Sequence, residues 1–314
     1  MTFSCLETSS FVAFIADNSA NGIHRSGYNG LSSLIPRHTG NNLFVPAYAG
    51  LNYETISLAG LEPYRHEHGS KFEPRSEPMF IESADEESVV LVQPETSHSH
   101  VSARITFTVE EPHYIHQKIE LTFHRRFCPD EEPNQFRSLW ASYMHGPPDR
   151  HIYSKPDLET GADLVHWYGI TKTDHGSPEM QVKLMPQEEI SAAGHLAAMA
   201  ETPLLTDDEL TALAQPEWGP MALPKSLDGM LSFYYGLCHD QMVLMMFKQP
   251  ERFRLAYSPC GGGTQPEWNP AWDYVLALED APLEETCTWD LCLVTKPYMG
   301  RADVLREVRR YVTT

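Results

Sequence analysis

Between residues 101 and 123 apolar and polar side chains alternate with a period of two. Val101, Ala103, Ile105, Phe107 and Val109 share one side. After Glu110-Glu111-Pro112 the pattern resumes as Ile115, Gln117, Ile119, Leu121 and Phe123. Successive side chains leave a strand on opposite faces, whereas a helix returns to one face about every 3.6 residues, so this stretch reads as two half-buried strands joined by a short turn. An antiparallel pair with one apolar face needs a second layer to cover it, which points to a mainly β protein built of packed sheets.

Shorter segments of the same kind occur at Val89–Val92, Met242–Phe247, Phe253–Tyr257, Tyr274–Leu278 and Thr288–Thr295, and 24 prolines and 19 glycines punctuate the chain as a many-stranded fold requires. Helix is expected in few places. Glu188–Ala200 is alanine-rich, Thr206-Asp207-Asp208-Glu209 is a capping box opening a short helix to Ala214, and Ala302–Tyr311 has an amphipathic period. The expectation is one large antiparallel β domain over residues 1–314 with a helical insertion at about 186–215 and a C-terminal helix. Two β-sandwich halves are the alternative. The acidic run Glu82, Asp85, Glu86, Glu87 reads as a solvated turn.

With 41% apolar and 21% charged residues the chain is globular, and a formal charge of −20 argues against nucleic acid or anionic membrane as partners, because phosphates would be repelled. Cys5, Cys128, Cys238, Cys260, Cys287 and Cys292 lack paired CxxC spacing, which fits reduced thiols and a cytoplasmic location. The apolar run Phe11–Ala16 is too short to span a membrane.

Several stretches resemble bacterial proteins of the galactose-mutarotase-like β-supersandwich type. They are Gly27-Tyr28-Asn29-Gly30, Asn42-Leu43-Phe44-Val45-Pro46, Ala49-Gly50-Leu51-Asn52-Tyr53-Glu54, Glu111-Pro112-His113-Tyr114-Ile115, Trp140-Ala141-Ser142-Tyr143-Met144-His145, Ser258-Pro259-Cys260-Gly261-Gly262-Gly263 and Asn269-Pro270-Ala271-Trp272-Asp273. The resemblance implies a large antiparallel β-supersandwich whose concave face binds a sugar or sugar acid. Mutarotases work with a histidine acid and a glutamate base, but no catalytic motif carries over position by position. The architecture also supports glycoside hydrolases, polysaccharide lyases and non-catalytic sugar binders.

The residues supply candidates of their own. The segment 21–69 sets His24, Tyr28, Asn29, Asn52, Tyr53 and Glu54 among glycines, the make-up of loops lining a polar cleft. Proton transfer at a sugar needs a carboxylate and a partner acid on opposite sides of one atom, so Glu54 is the expected base and His24 or His145 the expected acid. The alternative for Glu54 is a carboxylate that staples its loop to the backbone. In Trp140–Tyr153, a strand to Met144 would set Tyr143 and His145 on one face, opposite Ser142, and bring Tyr143, His145, Asp149 and Arg150 together at its end; the plain alternative is a core tryptophan followed by a solvent turn. His175, His239, Trp268 and Asn269 complete the expected ligand contacts, with Trp268 more exposed than Trp272.

Histidine pairs His66/His68 and His98/His100 fall short of the ligands zinc requires, so neither metal nor cofactor is expected. Ser258–Gly263 matches neither phosphate-loop spacing, and no GxSxG elbow is present. The expected function is therefore carbohydrate binding with acid/base epimerisation or glycosidic cleavage, against a non-catalytic sugar binder or sensor. A purely structural interaction domain would need an apolar cleft, which the Asn, His and Tyr of 21–69 oppose.

Overall fold

The computed structural model describes residues 3–18, 29–45, 50–58, 72–126, 135–155, 158, 167–172, 181–185, 232–259 and 268–313. The expected helices between 186 and 215, together with His24, Tyr28 and His175, lie outside them.

Among the described residues, two antiparallel sheets form the fold. The smaller has seven strands in the order β1 (Phe3–Glu7), β2 (Phe11–Ala16), β3 (Gly30–Pro36), β4 (Asn52–Leu58), β9 (Phe136–Ala141), β16 (Ala271–Leu278) and β15 (Phe253–Ser258). The larger has ten: β12 (Gln181–Met185), β11 (Trp167–Thr171), β10 (Ile152–Ser154), β13 (Phe233–Cys238), β14 (Gln241–Phe247), β17 (Thr286–Pro297), β8 (Tyr114–Phe123), β7 (Val101–Glu110), β6 (Ser88–Gln93) and β5 (Phe80–Ala84). The alternating segment is the β7–β8 hairpin, in register from Val101↔Phe123 to Glu110↔Tyr114. Its apolar set, Ile105, Phe107, Ile119 and Leu121, is buried, and the acidic turn between β5 and β6 is exposed, both as the pattern required.

The inner faces of the two sheets share one core. Tyr53, Trp140 and Tyr274 are cross-strand neighbours on β4, β9 and β16, and their rings stack at 5.1 and 6.0 Å. The Tyr274 hydroxyl donates to Gln117 Oε1 across the layer at 3.0 Å, which explains the one polar residue in the apolar register of β8. Opposite, Trp272 fills the space above Gly236, where a Cβ would stand 2.4 Å from its ring.

The C-terminal helix extends over Arg301–Thr313, slightly beyond the expected Ala302–Tyr311. Its buried stripe of Val304, Leu305, Val308 and Tyr311 belongs to a second cluster with Met242, Leu244, Met246, Cys292 and Val294, which alternation places on the outer face of the large sheet. A short helix, α1 (Glu73–Ser76), packs against β4, so the C-terminal helix is α2. Glu73 fixes the 98–99 loop by accepting from the His98 amide at 2.6 Å and the Ser99 amide at 3.0 Å. Among the described residues, no helix is long and apolar enough to cross a membrane.

Candidate functional site at the β9–β10 crossover

One short segment, 142–151, carries the chain from the small sheet to the large one, and most of the expected ligand residues sit on it or against it. The strand expected through Met144 ends at Ala141. Beyond it, isolated bridges pair Tyr143 with Ala271 and Phe44 with Met144.

The first cluster lies where the crossover begins. Tyr53 points into the core, so Asn52 and Glu54 project to the other side of β4, beside a bulge at Tyr53/Thr55. Glu54 is 5% exposed; its Oε1 accepts from the Tyr143 hydroxyl at 3.0 Å and pairs with Arg75 Nη1 at 3.2 Å. Arg75 comes from α1 and also donates to Asn52 Oδ1 through Nε at 2.8 Å and Nη2 at 2.6 Å. The Asn52 amide nitrogen donates to the carbonyls of Gly50 and Ala141, so this side chain spends its hydrogen bonds on the protein. The Asn29 amide nitrogen also donates to backbone, to the carbonyls of Tyr53 and Pro74. Nearby Asp273 accepts from the Ser142 amide at 2.8 Å; burial, reinforced by the Glu54 charge, pushes its carboxyl well above the usual range. Burial and the Glu54 charge likewise raise the Tyr143 phenol.

The crossover residues fan out to different partners. His145 Nδ1 lies 3.3 Å from the Asn42 carbonyl, Arg150 donates to the Pro259 carbonyl, and Asp149 turns toward His151 and Tyr153. The expected gathering of Tyr143, His145, Asp149 and Arg150 is therefore split: Tyr143 joins Glu54, and Asp149 belongs to a second cluster. The peptide direction changes after Ala141, where strand geometry stops carrying alternate side chains to one face. His239 does approach His145. It occupies a two-residue hairpin turn with Asp240, both residues at positive φ, and its Nε2 meets the His145 carbonyl at 2.8 Å with the two rings 6.2 Å apart. Asn269 Oδ1 accepts from the Gly146 amide at 2.9 Å, and Trp268 beside it is 63% exposed against 1% for Trp272.

The second cluster closes the crossover. Asp149 Oδ1 accepts from the His151 backbone amide at 3.0 Å and stands 2.9 Å from His151 Nδ1, while Oδ2 receives the Tyr153 hydroxyl. Burial works to raise the Asp149 carboxyl, but these bonds from His151 and Tyr153 outweigh it and leave the carboxyl lowered. With Asp149 ionised, His151 Nδ1 is the donor, and the ring's lone pair is left on Nε2. Both side chains remain about a third exposed, at 31% and 32%. Behind them Tyr153 stacks on Tyr235 at 5.2 Å, the Tyr235 and Tyr298 hydroxyls meet at 3.2 Å, and Arg301 lies over the Trp167 ring at 5.4 Å. His151, Tyr153, Tyr235 and Arg75 were not among the sequence candidates. One signal was available: Asp149, His151 and Tyr153 stand at i, i+2 and i+4, the spacing that shares one face of an extended chain.

Among solved structures, the chain is similar to an Escherichia coli K12 protein provisionally assigned as an aldose 1-epimerase, with a TM-score of 0.55 and 10% identity over 95% of this chain and 99% of that one. The fold is galactose-mutarotase-like. A Salmonella typhimurium protein provisionally assigned as a mutarotase (TM-score 0.44, 9% identity, 94% and 90% covered) and a heparan sulfate lyase from Pedobacter heparinus (0.40, 7%, 96% and 37%) are more distant. No protein-family model and no curated protein matches the chain.

Proposed function

We propose that the protein binds a sugar or sugar acid at the β9–β10 crossover and moves a proton there, with His151 as the proton acceptor. The observation that carries this reading is a solvent-reachable imidazole whose tautomer is set by Asp149. Nε2 is placed to accept a proton from a sugar hydroxyl, and the imidazolium so formed is stabilised by the Asp149 carboxylate. The exposed Trp268, next to the Asn269 that holds the crossover at Gly146, offers an apolar plate of the kind sugar faces require. The fold shared with an E. coli protein provisionally assigned as an aldose 1-epimerase supports the ligand class.

Glu54, the base expected from sequence, is enclosed by Arg75 and Tyr143. That enclosure favours an anchoring role, in which Glu54 holds Tyr143 and with it the start of the crossover. The experiment is proton NMR of the protein with neutral and acidic mono- and disaccharides, read for anomeric exchange and ligand line-broadening. Faster anomeric exchange should fall by about 10²-fold or more in His151→Asn while broadening persists. If Glu54→Gln abolishes turnover with the fold intact and His151→Asn does not, the base is Glu54. Silence across all sugars defeats the carbohydrate reading. The exposed Trp268 favours one rival, a non-catalytic binder. It predicts broadening without chemistry and loss of that broadening in Trp268→Ala.

A further inference from the structure

We propose that the outer face of the large sheet holds a second binding site, one for an oxyanion-bearing small molecule, in a cavity of about 300 Å³ closed on one side by Tyr311 of α2. Its floor follows from strand alternation. Thr106 faces Lys118 across the β7–β8 ladder, Thr108 faces His116, and Asp290 of β17 pairs with Lys118 on the other side. These positions alternate with the core residues Ile105, Phe107, Ile119 and Leu291, so the polar set must point outward. Lys248, one residue beyond β14, supplies the opposite wall.

The charges decide what the cavity takes. Lys118 is held by Glu120 at 2.8 Å and His116 by Glu110 at 3.0 Å. Lys248 is different: its ammonium rests 4.7 Å from the centre of the Tyr311 ring, and among the described residues no carboxylate pairs with it. In a chain of net charge −20, an exposed ammonium that lines a cavity with no counter-ion among the described residues is one uncompensated positive charge. An oxyanion seated against Lys248 supplies the missing counter-ion, with the Thr106 and Thr108 hydroxyls of the same lining as further donors. Asp290 is the one carboxylate in the lining, and it suits a hydroxyl on the same ligand. Carboxylate and phosphate share this chemistry, and the volume fits a monosaccharide-sized acid.

The site stands apart from the crossover and does not depend on the function proposed there. Calorimetric titration of the full-length protein with inorganic phosphate, glucuronate and glucose tests it. Binding of phosphate, of glucuronate or of both that depends on Lys248 is the expected result, while any glucose binding should not depend on Lys248; glucuronate alone identifies a hydroxylated carboxylate. Lys248→Ala should weaken that binding by about tenfold or more, and Lys248→Arg should largely restore it. The proposal is overturned if neither anion binds at millimolar concentration, or if Lys248→Ala binds both anions as tightly as the parent.

Discussion

Arg75→Met tests whether the Glu54 cluster is an anchor. Methionine keeps most of the length of the side chain and removes the guanidinium. Three contacts vanish together: the ion pair to Glu54 at 3.2 Å and the bonds to Asn52 Oδ1 at 2.8 and 2.6 Å. The side chains of Arg75 and Glu54 are only 1% and 6% exposed, so water cannot readily replace what is lost. Breaking a buried pair by removing one partner costs about 3–5 kcal/mol, and an orphaned buried carbonyl adds about 1–3. The Tyr143 hydroxyl still serves Glu54, which relieves part of the cost, so a loss of about 4 kcal/mol is expected. Adding Glu54→Gln removes the orphaned charge and should recover about 2 kcal/mol. The assay is urea unfolding of the parent, both single variants and the double variant, analysed as a cycle. A loss below about 1 kcal/mol for Arg75→Met, or strict additivity in the double variant, would refute the anchoring argument.

Three further outcomes are expected. Burial works to raise the Glu307 carboxyl, but the nearby His113 ring and bonds from Lys296 and Tyr114 bring it down from 4.5 to about 2; the folded value is the lower one, so this stabilisation is complete above pH 4.5 and lost as the pH falls toward 2. Urea unfolding at stepped pH should show the parent's advantage over Glu307→Gln, no more than about 3 kcal/mol, vanishing across that window, and a constant difference would contradict it. Gly236→Ala forces a methyl to within 2.4 Å of the Trp272 ring, so it should cost about 1–3 kcal/mol and alter the near-ultraviolet tryptophan dichroism. Burial pushes the Cys238 thiol up to about 12 and raises Cys292 as well, so peptide mapping after thiol labelling should find both unmodified in the native protein and modified in urea.

What the sequence determined is whatever neighbouring residues encode. The β7–β8 hairpin, the exposed acidic turn, the strands around β14 to β17 and the amphipathic α2 follow from periods of two and 3.6 residues along the chain, because solvent partitions each face locally. The resemblance in short motifs carried the supersandwich. Tertiary structure decided which polar side chains meet. Glu54 faces Arg75, 21 positions away, only because α1 packs against β4, and nothing in Phe72-Glu73-Pro74-Arg75 announces that partner. The change of direction after Ala141 sends Tyr143 to Glu54 and Asp149 to His151, although all lie in one short run of sequence. Lys248 and Lys118 face one cavity because β14, β17 and β8 are neighbours in the sheet. Local periodicity fixes which face a residue shows; strand order fixes what it shows that face to.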